Sequence, residues 1–162
     1  MHFDLSPRGR EWLSRVESFM AERVVPSIPT WEHQARGTPA LPLPIVQQLK
    51  AEARAAGLWN LFMPPAHPGE NLDESFEFDA PKLSNLEYAP LAEAMGRVRW
   101  APEIFNCSAP DTGNMETFER FATREQKERW LRPLMNGEIR SAFLMTEPDV
   151  ASSDATNIET RI

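Results

Sequence analysis

The sequence predicts a mainly α-helical domain that runs into the first strands of a β domain. Three observations carry that prediction. Apolar residues recur at helical spacing through most of the chain. Serine, threonine and proline stand where helix starts need them. From Ile139 onward the texture changes to a short apolar run and then to alternation, the pattern of strands. The expected division is residues 1–137 for the helical domain and 138–162 for the start of a β domain that breaks off early.

The elements follow in order. Ser6 can cap the first helix and Pro7 suits its first position, and Trp12, Val16, Phe19, Met20 and Val24 form its apolar face. Pro26 and Pro29 are expected to end it, leaving Ser27 to Pro42 as a connector. A second helix spans about Leu43 to Ala56, with Ile45, Val46 and Leu49 inward and Gly57 as its stop. Leu58 to Pro65 reads as a buried extended segment, followed by a polar loop from Ala66 to Lys82. Ser84-Asn85-Leu86-Glu87 is a capping box opening a third helix, which presents Tyr88, Leu91, Ala92 and Met95. Pro90 should bend that helix or restart it. Trp100 to Phe105 suggests a short helix. Asp111 is placed to cap the next, which carries Met115, Phe118 and Phe121. Thr123-Arg124-Glu125-Gln126 is a second capping box, ahead of Trp130, Leu131 and Leu134, and Asn136-Gly137 makes a turn. Arg140 to Thr146 reads as a strand, Asp149 to Asn157 as a loop of small polar residues, and Ile158 to Ile162 as a second strand. Two strands cannot bury a sheet face by themselves.

Composition narrows the function. The 162 residues suit one domain with its own core, and a net charge of −7 argues against broad nucleic-acid binding, which needs clustered Lys and Arg. The single cysteine, Cys107, cannot form an intrachain disulfide and reads as a packed thiol. His2, His33 and His67 lie in different segments with no metal-ligand spacing, so no metal is expected. No phosphate-binding glycine loop and no Gly-x-Ser-x-Gly elbow is present. The start of the chain lacks the basic region and apolar run of a signal peptide, and no apolar stretch approaches the ~20 residues of a membrane span. The expectation is therefore a cytoplasmic protein.

The informative stretch is Gly137-Glu138-Ile139-Arg140-Ser141-Ala142-Phe143-Leu144-Met145-Thr146-Glu147-Pro148, followed by Asp149-Val150-Ala151-Ser152-Ser153-Asp154. It resembles the N-terminal signature of the acyl-CoA dehydrogenase family: a Gly-Glu turn, an apolar strand ending in Thr-Glu-Pro, a small-residue loop, and Ser-Asp. The helix from Glu125 to Leu134 is similar to that family's Gln-Lys-x-x-Tyr-Leu-x-x-Leu helix. The loop after Pro148 is one residue longer than the commoner Gly-x-Gly-Ser-Asp form and has no glycine, which looks like the branch holding family members 10 and 11.

The resemblance implies FAD as cofactor and an acyl-CoA thioester as substrate, oxidised between its α and β carbons. By position it implies that Phe143, Met145 and Thr146 line the flavin and the thioester, with Thr146 on the flavin ring. Ser152 and Ser153 would reach the FAD pyrophosphate, and Ser153 would also touch the CoA moiety. A strand end offers unpaired N–H groups to the amide-like edges of a flavin, and small residues let backbone and hydroxyls approach a phosphate. The resemblance puts the catalytic carboxylate in a later helical domain, so no catalytic residue is assigned here, and Glu147 and Asp149 are not promoted to that role. It further implies a dimer or tetramer, with an electron-transfer flavoprotein as partner. Two alternatives remain at this point: an acyl-CoA oxidase-type flavoprotein on the same scaffold, and a non-catalytic helical interaction module in which Thr146-Glu147-Pro148 merely ends a strand and Ser152-Ser153-Asp154 merely turns. Trp12, Trp59, Trp100 and Trp130 read as core rather than cofactor contacts.

Overall fold

The structure, a computed structural model, describes residues 4–37, 42–66, 73 and 75–161. Helix α1 (Pro7–Phe19) begins as expected, with the Ser6 hydroxyl accepting the Gly9 amide at 2.9 Å. It does not end at the prolines. A π turn (Met20–Val24) and a 3-10 turn (Val25–Ser27) lead directly into helix α2 (Ile28–Gly37), so most of the expected connector is helical. The physical reason is a change of hydrogen-bond register. Val25 N–H reaches back to Met20, and Ile28 N–H reaches only to Val25. Pro26 falls between these two registers, early in the tight turn, where its missing N–H is least costly. The Ser27 hydroxyl donates to the Arg23 carbonyl at 2.7 Å in the same stretch.

Helix α3 (Pro44–Ala55) buries Ile45, Val46, Leu49 and Ala53. It closes in a Schellman motif, with Leu58 N–H on the Ala53 carbonyl at 2.8 Å and Gly57 N–H on Arg54 at 2.9 Å. Gly57 takes a φ of +67°, which suits glycine. The next six residues, Leu58 to Met63, are all buried, as expected, but they are not extended throughout: the chain turns at Asn60, whose φ is +51°, and Met63 N–H bonds the Asn60 carbonyl at 3.2 Å.

Helix α4 (Asn85–Gly96) opens with the predicted capping box and runs on through Pro90 without restarting. Glu87 does more than complete the box. Its carboxylate also accepts the Ser6 hydroxyl at 2.8 Å and lies 3.5 Å from Arg8, which ties the start of α4 to the start of α1. These two helices pack along each other. Main-chain and hydroxyl donors, first Ser84 N–H and then Ser6, hold the Glu87 carboxyl below the usual carboxylate range.

Helix α5 (Ala101–Ile104) is the predicted short helix, and α6 (Asp111–Phe121) follows. Asp111 does not cap α6. It is the first helical residue, after Pro110, and its side chain points elsewhere. The second capping box is present: Thr123 and Gln126 open α7 (Arg124–Gln126), which continues through a π turn (Lys127–Leu131) into α8 (Arg132–Met135).

The core gathers one side of each long helix around Phe105, Leu61, Met63, Leu91, Met95 and Leu131, all fully buried. Trp59 is buried, and Trp12 and Trp100 pack partly buried against the core. Trp130 departs from the core reading: it is 40% exposed beside Phe118. Among the described residues there is no strand ladder, and residues 139–154 carry neither helix nor sheet. A ladder needs partner strands, and none stands beside this stretch among the described residues.

Candidate functional site

The stretch that carries the sequence signature leaves the helical body at Gly137. Its exit is a second Schellman motif: Gly137 N–H bonds Leu134 O at 3.0 Å and Glu138 N–H bonds Pro133 O at 2.9 Å. Gly137 has a φ of +70°, and a Cβ there would sit 2.9 Å from the Trp59 ring. Both facts require glycine. The carbonyl of Met135, otherwise an orphan of the last turn, accepts Trp59 Nε1 at 2.8 Å, Asn60 Nδ2 at 3.1 Å and Asn106 Nδ2 at 3.3 Å. Asn60 and Asn106 are themselves joined at 2.7 Å, and both take positive φ, which asparagine tolerates best after glycine.

Three residues further on, Asp111 holds the departing chain. Its carboxylate accepts Ser141 N–H at 2.7 Å, the Ser141 hydroxyl at 2.5 Å, and Arg140 Nε. Arg140 also pairs with Glu103 at 2.6 Å, and Glu103 pairs with Lys50 at 3.0 Å. Asn114 adds its amide to Ser141 Oγ at 2.8 Å. Beside this network lies a cleft of about 670 Å³, walled by the stacked pair Trp31 and Trp100, by Leu43 and Val46, and by residues 137–140.

Beyond the clasp the signature residues turn outward. Phe143 is 69% exposed and Leu144 is 92% exposed. Thr146 is exposed and Met145 half-buried. The main-chain N–H groups of residues 142–146 make no hydrogen bond to any described residue. Ser152 and Ser153 differ. Ser152 is 6% exposed, and its hydroxyl accepts Glu147 N–H at 3.2 Å, whereas Ser153 faces outward. Glu147 closes the far end of the loop: its carboxylate accepts the amides of Glu159 at 3.1 Å and Thr160 at 2.9 Å. Hydrogen bonds from Thr160, and then Glu159, hold its carboxyl below the usual range. The Asp154 carboxyl is likewise lowered, by the Thr156 hydroxyl and amide.

The signature residues therefore share one outward-facing run and one small loop. The sequence offers Asp111 only as a helix cap, Arg140 only as a strand residue and Glu147 only as a carboxylate to be set aside; none of the three is expected to hold this stretch. Asp111 bonds to a residue 30 positions away, and no local spacing reports that. Among the described residues no cluster of His, Cys, Asp and Glu could hold a metal ion; His33 is exposed, and His2 and His67 lie outside the described residues. Cys107 is buried and hydrogen-bonded to the Phe105 carbonyl, and burial pushes its thiol up to about 12, the state of a packed thiol rather than a nucleophile.

The acyl-CoA dehydrogenase N-terminal domain profile matches residues 6–138. The chain belongs to that family. It is 50% identical over 159 residues to mouse acyl-CoA dehydrogenase family member 10, covering 98% of this chain and 14% of that protein. It is 46% identical over 166 residues to "Probable acyl-CoA dehydrogenase FadE2" of Mycobacterium tuberculosis, covering 100% of this chain and 37% of that protein. The solved "Structure of a putative acyl-CoA dehydrogenase from Mycobacterium abscessus" superposes with a TM-score of 0.79 at 48% identity, over 94% of this chain and 37% of that one. The chain thus spans between 14% and 37% of the length of these relatives. Among the described residues no helix is long and apolar enough to cross a membrane.

Proposed function

We propose that this chain supplies part of the FAD and acyl-CoA site of an FAD-dependent acyl-CoA dehydrogenase, which converts an acyl-CoA to its trans-2-enoyl-CoA in fatty acid breakdown. Residues 1–137 act as its helical domain and 138–162 as the start of its β domain. The observation that carries this reading is the outward run 142–146. Its main-chain N–H groups have no partner among the described residues, and it carries an exposed threonine hydroxyl and exposed apolar side chains. That donor set fits a flat ring with apolar faces and amide-like edges. Bound there, FAD supplies the acceptor for the β-hydride.

The chain's own residues would bind and orient. Phe143 and Met145 cover apolar ring surface and keep water from the reacting carbons. Thr146 donates its hydroxyl to the ring. Ser153 presents its hydroxyl to the pyrophosphate and the CoA, while Ser152 holds the loop's shape from inside and its own proton remains available to the phosphate. Glu147 is occupied by two main-chain amides, which supports its exclusion as the base. The carboxylate that takes the α-proton is not among these residues. We place the enzyme in the cytoplasm as a dimer or tetramer that passes electrons to an electron-transfer flavoprotein; the buried free thiol of Cys107 is compatible with a reducing compartment.

The test is the intact gene product. Purified protein should show the visible bands of an oxidised flavin, and anaerobic acyl-CoA should bleach them. Oxygen uptake with acyl-CoA in place of slow reoxidation would move the assignment to the oxidase on this scaffold. A colourless protein that takes up no FAD on titration would overturn the reading and leave a helical interaction module.

A further inference from the structure

We infer that Asp111 is a positioning residue for the flavin, acting through Ser141 to set the register of the run 142–146. This rests on the reading above. Three features of the geometry point to it.

Asp111 is a carboxylate only 2% exposed, a costly placement for a charge unless it is paired. Among the described residues, every hydrogen bond its side chain makes goes to Arg140 or Ser141, on the departing stretch, and none goes to the helices that bury it. Its function in the fold is thus to hold residues 140–141.

The hold also fixes orientation. Ser141 gives Asp111 both its main-chain N–H, at 2.7 Å, and its hydroxyl, at 2.5 Å. Two donors from one residue on one oxygen determine which way Ser141 faces as well as where it lies. Asn114 closes the third side of the hydroxyl at 2.8 Å. In extended chain the faces alternate residue by residue, so a slip of one residue exchanges the set Phe143 and Met145 with the set Leu144 and Thr146. The clasp stands two residues before Phe143 and five before Thr146.

The clasp is anchored to the body on a second side. Arg140 reaches Glu103 at 2.6 Å, and Glu103 reaches the buried Lys50 at 3.0 Å, so α3, α5 and α6 all bear on residues 140–141.

The experiment compares the intact gene product with its Asp111→Asn and Ser141→Ala variants. The readouts are FAD affinity by titration, visible circular dichroism at saturating FAD, and amide hydrogen exchange of residues 141–146. Asp111→Asn keeps the size but removes the charge, and should weaken FAD binding roughly tenfold. Ser141→Ala removes one donor and should weaken it about threefold. In both variants the visible dichroism of the saturated flavin changes and exchange at 141–146 quickens, while the far-ultraviolet helix signal stays as in the parent. A role limited to stability would lower the melting temperature and leave the dichroism of the bound flavin untouched. That result in Ser141→Ala overturns the inference even if Asp111→Asn fails to fold. It does so with the proposed function intact, since the parent still binds FAD. A parent that binds no FAD overturns both together.

Discussion

The helical body and the stretch that leaves it at Gly137 dispose of their groups in opposite ways. In the body, Phe105, Leu61, Met63, Leu91 and Leu131 are sealed from solvent. In the departing stretch, Phe143 and Leu144 stand in solvent, and the main-chain N–H groups of five consecutive residues, 142–146, have no partner among the described residues. Every deeply buried side-chain polar atom among the described residues has a partner, and that includes the clasp on Ser141. The body is therefore folded to satisfy itself, whereas the stretch is held firmly at residues 140–141 and left open immediately after.

The contrast can be tested from its strongest side first. Phe105 is fully buried and meets Phe19 edge-on at 5.5 Å. Phe105→Ala should cost about 3–5 kcal/mol of unfolding free energy, measured by urea denaturation. A loss below ~1 kcal/mol would mean that the body is not the packed unit described. Gly137 is the joint between the two regions. Gly137→Ala combines a positive φ with a methyl pressed onto Trp59, and should cost about 2–3 kcal/mol and dequench or shift Trp59 fluorescence.

A smaller effect belongs to the tie between α1 and α4. Glu87→Ala removes the second half of a capping box and the partner of Ser6, at about 1 kcal/mol. The sign of its pH dependence follows from the lowered carboxyl. The unfolded chain binds the proton at higher pH than the folded one, so the stabilisation is full at neutral pH. It falls away as the pH drops through the ordinary carboxylate range toward the lowered folded value. The stability difference between parent and variant should shrink accordingly when denaturation is repeated at acid pH. Least of all should stability respond to Leu144→Ser, which should change it by less than ~0.5 kcal/mol. A drop above ~1 kcal/mol would show that the stretch packs on the body, and the distinction between the two regions would dissolve.

How much of this was legible in the sequence depends on how far each signal travels along the chain. Caps are local. Ser6, Ser84 and Thr123 each bond within three residues, so each cap shows in the sequence. Gly57 and Gly137 likewise announced the ends they make. Pro26 and Pro29 mislead because a proline breaks only the interior of a regular α-helix: Pro26 falls in the tight turn that follows the wide one, and Pro29 lies in the first turn of α2, where an N–H has no helical partner to lose. Asp111 looked like a cap because acids often are, but its partners lie 29 and 30 residues downstream. Trp130 followed the helical period yet is partly exposed, since periodicity gives a face and not what lies against it. The signature residues Phe143, Met145, Thr146, Ser152 and Ser153 are singled out only through resemblance. Composition and spacing would have left them a turn at the end of a strand. Nothing local distinguishes Ser152 from Ser153, although one is buried as a strut and the other faces out.

The Met135 carbonyl, which gathers Trp59, Asn60 and Asn106, has a consequence for how such a chain can change. All three donors come from loops far upstream of the helix end they grip. The bearing of everything past Gly137 is thereby inherited from the lengths and turns of those loops. A one-residue insertion between Leu58 and Met63 would leave each helix intact and still swing the signature residues off their heading, much as a shifted rudder post redirects a hull that has not itself been altered.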